Sequence, residues 1–105
     1  MATDIDPQTP ADLANDKDAE VRMRVARNSA TSTEVLTKLA SDENSSVRRY
    51  VAENPSTPVE VLVKLASDED SDVREHVAKN PSAPKEVLVI LASDEDRGVR
   101  NAARR

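Results

Sequence analysis

The sequence predicts an all-α solenoid, a stack of short helix pairs, and two observations carry that expectation. The first is a fixed period. Shifted by 26 residues the chain matches itself, so that blocks 28–53, 54–79 and 80–105 fall into register as NSATSTEVLTKLASDENSSVRRYVAE, NPSTPVEVLVKLASDEDSDVREHVAK and NPSAPKEVLVILASDEDRGVRNAARR. A period in this range marks units that bury their apolar faces only against their neighbours. The second is composition: hydrophobic residues are 37% of the 105 positions, yet there is one Tyr and no Phe or Trp. A single globular core usually leans on aromatic bulk, whereas thin layers of Val, Leu and Ala do not need it.

From the start of the chain, DPQTPAD matches the opening NPSTPVE if about four residues, one helical turn, are deleted. LANDKDAEVRMRVAR (13–27) then matches the second half of the unit. The chain therefore reads as one tandem-repeat domain over 1–105, with units at about 6–27 (shortened), 28–53, 54–79 and 80–105. Each unit is expected to hold two helices. The first opens on a capping box, Thr57-Pro58-Val59-Glu60, with proline at the first helical position; Thr31-Ser32-Thr33-Glu34 repeats the box without it. Val61, Leu62 and Leu65 then share one face. The second helix is preceded by a capping residue in every copy, Asp18, Asn44, Asp70 and Asp96. Its apolar face is Val73 and Val77, matched by Val47 and Val51. It stops at Asn54-Pro55 or Asn80-Pro81, where Asn tolerates the left-handed conformation and Pro forbids continuation. Both segments are short enough that 3₁₀ geometry is open to either.

Several function classes are excluded or disfavoured. Charged residues are 33% with a net charge of -5 and the signs interspersed, so the basic stripe of a polyanion binder is missing and nucleic acid is not the expected partner. With no cysteine, disulfides, thiolate metal sites and thiol catalysis fall away. The longest apolar run, Val87 to Ala92, is too short for a bilayer, and MATDIDPQTP lacks the regions of a signal peptide, so a soluble cytoplasmic protein is expected. His76 is the only histidine, the Ser and Thr residues sit where caps and turns want them, and no apolar pocket surrounds the carboxylates; a non-enzymatic protein without cofactor follows. The acidic loop from Asp68 begins like a calcium-binding loop but has Val73 at position six and Lys79 at position twelve, so helix capping explains its acids better and no metal is expected.

The composite NPSTPVEVLVKLASDEDSDVREHVAKN resembles the leucine-rich repeat variant family, through its Asn-Pro opening, Thr-Pro cap, Leu-Ala-Ser-Asp turn and Val-Arg-x-x-Val-Ala close. The match covers 28–105 well and 6–27 with the deletion. The resemblance implies a right-handed superhelix alternating α and 3₁₀ helices. An iron–sulfur cluster held by N-terminal cysteines, known in the family, does not carry over to a chain without cysteine. A looser likeness is to HEAT-like repeats.

Two columns point to structure and two departures point to function. Arg22, Arg48, Arg74 and Arg100 form one column and Asp16, Asp42, Asp68 and Asp94 another, as expected of a fork-and-carboxylate ladder tying turns to helices. The alternative, an anion-binding arginine ladder, would serve nucleic acid. The first departure is the column Arg24, Tyr50, His76 and Ala102, varied side chains on a constant frame, which is how solenoids build recognition surfaces for proteins. The second is Val89-Ile90, where Lys38 and Lys64 give way to an apolar residue. Either the arginine-rich last helix folds over this step, or the C-terminal end meets a partner or a second copy. The expected role is a protein-interaction module or scaffold, with a spacer or self-association element as the alternative.

Overall fold

The structure, a computed structural model, describes residues 9–104. The part of the first unit before residue 9 lies outside them. Among the described residues there are eight helices and no strand: α1 (Pro10–Leu13), α2 (Ala19–Arg27), α3 (Thr33–Leu39), α4 (Ser45–Glu53), α5 (Val59–Leu65), α6 (Ser71–Lys79), α7 (Lys85–Leu91) and α8 (Arg97–Ala103). The nine-residue helices α2, α4 and α6 and the terminal α8 pack in sequence, each on the next. Helices α3, α5 and α7, of seven residues each, form a second layer, each resting on the two first-layer helices that flank it in sequence. Helix α1 has only four residues. The assembly measures 56 × 21 × 17 Å, and its radius of gyration of 14.8 Å exceeds the roughly 13 Å of a spherical domain this size.

The core runs along the seam between the layers. Val47, Val51, Val73, Val77 and Val99 from the long helices meet Leu36, Leu39, Leu62, Leu65 and Leu91 from the short ones, all essentially without solvent contact. Spacing of three or four residues keeps each set on one face. Ala26, Ala52 and Ala78 are completely buried, and so small a side chain lets successive long helices approach closely.

Three local expectations are corrected. All eight helices are α-helical, and 3₁₀-type bonds occur only at their ends, as in Val61 N–H to the Pro58 carbonyl at 3.0 Å beside the full-turn bond from Leu62 at 3.1 Å. The residues are free to take the α form because Leu and Val at full-turn spacing reward it with burial. Thr31 and Thr57 are not caps. Their buried hydroxyls donate backwards to the carbonyls of Val25 (2.7 Å) and Val51 (2.6 Å), closing the end of the preceding long helix. The caps stand one residue later: Ser32 accepts from the Val35 amide, while Pro58 offers no side-chain bond. Finally, Asn54 and Asn80 are extended, with φ of -68° and -71°, so their identity has nothing to do with the left-handed region. The caps expected for the long helices, Asp18, Asn44, Asp70 and Asp96, each accept from an amide in the first turn as predicted.

Candidate functional site

Two sets of side chains explain how one helix pair is fastened to the next, and they account for most of the conserved-looking columns. Arg22 places Nε 2.8 Å and Nη2 3.2 Å from the two oxygens of Asp42, twenty residues on, while its Nη1 donates to the Asp16 carbonyl at 2.8 Å. Arg48 repeats this with Asp68 and the Asp42 carbonyl, and Arg74 with Asp94 and the Asp68 carbonyl. Each fork thus binds its own turn and the next one. The acceptor carboxylates are held in turn by the amides of Asn44, Asp70 and Asp96. The second set is asparagine. Asn54 donates to the carbonyls of Ala26 (2.8 Å) and Asn28 (3.0 Å), and Asn80 to those of Ala52 (2.8 Å) and Asn54 (3.1 Å).

The guanidiniums of Arg22, Arg48 and Arg74 are only about one-tenth exposed and already carry carboxylates, so they are not presented to a polyanion. At the ends the pattern is half made. The Asp16 carboxylate accepts from the Asp18 amide and enters no ion pair, and Arg100 keeps only the carbonyls of Asp94 and Glu95, among the described residues.

The pair Arg74–Asp94 has a pH consequence. The Arg74 hydrogen bond, ahead of the opposing desolvation, holds the Asp94 carboxyl below its usual range, with help from the Asp96 amide. A depressed folded value contributes stability above the unfolded value, near pH 3.9, and loses it as pH falls below that. The urea midpoint should therefore hold steady from neutrality to about pH 5 and fall below about pH 4. In Asp94→Asn the fall should be shallower, from a lower starting point. An equally steep acid loss in the variant would remove Asp94 from the account.

What the framework does not use lies on the outward side of the long helices. Tyr50, half-buried, has the Arg49 guanidinium 4.8 Å and the Arg27 guanidinium 5.3 Å from its ring centre. The same two arginines, Arg49 first and each through a hydrogen bond, lower the pKa of its phenol below the ordinary value. His76 donates from Nδ1 to the Asp72 carbonyl at 2.7 Å and puts Nε2 3.5 Å from Glu53. Tyr50 and His76 each reach back to the residue three places after the preceding member of their column, Arg27 or Glu53. Arg24 is exposed and borders a concavity of about 300 Å³ floored by Leu13, Val21 and Val25. Ala102 is the blank member of the column.

Arg27 and Arg49 were missed by reading the sequence column by column for a single variable position. Aligning the units shows two further variable columns, Met23, Arg49, Glu75 and Asn101, and Arg27, Glu53 and Lys79. Their variation was the available signal.

The second candidate site is on the other layer. Val89 and Ile90 are 63% and 66% exposed, so α8 does not fold over them. They continue a row begun by Val59 and Val63 on α5. Lys38 and Lys64, which precede Ile90 in its column, hydrogen-bond back to Asn15 and Ser41 of the preceding turns.

Comparison with known proteins supports the repeat reading. The sequence model of a family described as Leucine Rich Repeat Variant domain matches residues 47–105. The crystal structure of an engineered protein superimposes with a TM-score of 0.63 at 26% identity, over 90% of this chain; the chain spans 57% of that protein's length. No curated protein matches the sequence.

Proposed function

The chain belongs to the leucine-rich repeat variant family, and on that footing we propose that this helical repeat module is a non-enzymatic, cytoplasmic protein-interaction element. Its partner would lie across the outward side of α2, α4 and α6. The observation that carries this reading is the contrast between frame and surface. The Arg–Asp forks repeat at 2.8 Å three times over, while Arg24, Tyr50 and His76, one residue type apiece, occupy a single column above them. Stacking alone does not require that variety. We read the stack as a right-handed superhelix of 26-residue units bounded near 28, 54 and 80. The openings of α4, α6 and α8 at Ser45, Ser71 and Arg97, equally spaced, favour that unit. Among the described residues no helix is long and apolar enough to cross a membrane.

The test is a comparison of baits. A partner retained by the wild-type chain should be lost to the double variant Tyr50→Ala/His76→Ala, which should still unfold cooperatively at a somewhat lower melting temperature because both side chains are half-buried. Equal retention by the variant would overturn the assignment of this face.

A second reading, self-association, is favoured by the exposed row Val59, Val63, Val89 and Ile90. It would use that row and not end-on stacking at α8. Arg104 stands in the column of the fully buried Ala26, Ala52 and Ala78, and it is exposed with Nη2 bonded to the Ala92 carbonyl at 2.9 Å. A copy stacked there as α8 stacks on α6 would have to desolvate that charge.

A further inference from the structure

Six described arginines enter no ion pair: Arg97, Arg100 and Arg104 at the end of the stack, of which Arg100 and Arg104 bond backbone carbonyls, and Arg24, Arg27 and Arg49 on α2 and α4. The ion pairs among the described residues engage Arg22, Arg48, Arg74, His76 and Lys79, and none engages Arg24, Arg27 or Arg49. Glu20, one turn before Arg24, and Glu53, one turn after Arg49, are near in sequence but not paired with them; Glu53 faces His76 instead. In a chain of net charge -5, with acidic residues to spare, three guanidiniums left without carboxylates on two adjacent helices form a local reversal of sign. The molecule's only aromatic ring sits among them, within 5.3 Å of two. A guanidinium against a ring is held in place by its flat face and keeps N–H donors for a carboxylate. Beside Arg24 the surface dips into the concavity of about 300 Å³ floored by Leu13, Val21 and Val25.

We propose that Arg24, Arg27, Arg49 and Tyr50 are the docking site for an acidic segment of a partner protein, its carboxylates on the guanidiniums and an adjoining apolar side chain in the concavity beside Arg24. The inference rests on the reading that the outward side of the long helices binds protein, and it supplies the chemistry of what is bound. Charge complementarity selects the occupant. Bidentate pairing suits Arg and carboxylate, and an aliphatic floor next to it rewards a Leu, Ile or Phe flanking the acid. A nucleic acid is a poorer match, because its charge continues beyond the patch onto an otherwise acidic surface and its backbone has no apolar side chain to seat.

The probe is a display library of random dodecapeptides, panned on the full chain. Enriched peptides should carry Asp or Glu beside a Leu, Ile or Phe. They should bind Arg27→Glu/Arg49→Glu at least about tenfold more weakly, an effect of about 1.4 kcal/mol, and lose affinity as salt rises. If the charge reversal costs the fold, Arg27→Gln/Arg49→Gln should show a smaller loss in the same direction. Enriched peptides without acidic bias, or peptides indifferent to both variants, would overturn the proposal. Should such peptides instead be lost on Val63→Asp, this site falls while the protein-interaction reading stands. Salt-sensitive retention of a single-stranded oligonucleotide with no enriched peptide overturns both.

Discussion

Replacing Asn80 with Ala should destabilise the chain by about 3 kcal/mol, a drop of roughly 15 °C in melting temperature for a domain this size. Asn80 is 2% exposed, and its amide feeds two carbonyls of the preceding pair while its oxygen accepts from the Ser82 amide. Alanine leaves the Ala52 carbonyl without its side-chain donor and the Asn54 carbonyl with the Thr57 amide alone. Two further substitutions separate this role from a turn role. Asn80→Gly should be as harmful as Ala, because φ is -71° and glycine's freedom is of no use there. Asn80→Asp should be worse than either, since a carboxylate would face two carbonyl oxygens in a desolvated site. Urea unfolding of the three variants decides the matter. A neutral Asn80→Gly, or an Asp variant more stable than Ala, would refute the clip.

Arg74→Ala comes next, with an expected cost of about 2 kcal/mol. Exposed ion pairs are worth less than about 1 kcal/mol. This fork, however, is 11% exposed against a carboxylate at 10%, and it joins Asp94 to the Asp68 carbonyl in one bidentate arrangement. Removing the arginine strands a largely desolvated carboxylate, so the double variant Arg74→Ala/Asp94→Ala should be scarcely worse than Arg74→Ala alone, a coupling of about 1–2 kcal/mol. Arg74→Lys keeps the charge but not the fork, and should recover at most about half of the loss. Additive single and double effects in a denaturation cycle would show that the pair is not coupled.

Much of this fold was legible in the chain because repetition averages out local noise. Asp18, Asn44, Asp70 and Asp96 are caps because a short acceptor side chain before an apolar face has few other uses. The errors occurred where a residue satisfies a partner far along the chain. Thr57 in front of Pro58 has the grammar of a cap, and Asn54 in front of Pro55 has that of a turn. In the folded chain Thr57 donates to the Val51 carbonyl, and Asn54 to carbonyls 26 and 28 residues back. Local propensity is silent about such bonds. The Arg and Asp columns announced a pairing but not its direction, which the structure assigns to the next unit's Asp. At the candidate site Tyr50 was visible for its rarity, whereas Arg27 and Arg49 were hidden among many arginines. Their convergence on the Tyr50 ring without an ion pair, a property of space and not of sequence, sets them apart.

The fasteners also distribute rigidity unevenly. Helix α4 is held on both sides, by Arg22–Asp42 and Asn54 toward α2 and by Arg48–Asp68 and Asn80 toward α6, whereas α2 is fastened in this way on one side only. In a linear stack, opening begins where a unit has a single neighbour and spreads inward. Among the described residues α2, with Arg24 and Arg27, is thus less firmly fastened than α4, which with Arg49 and Tyr50 is the anchored wall opposite it. A ligand gripping both would splint the fraying edge to the firm one. Occupancy would then be felt as slowed amide exchange along the whole of α2, beyond the residues the ligand itself touches.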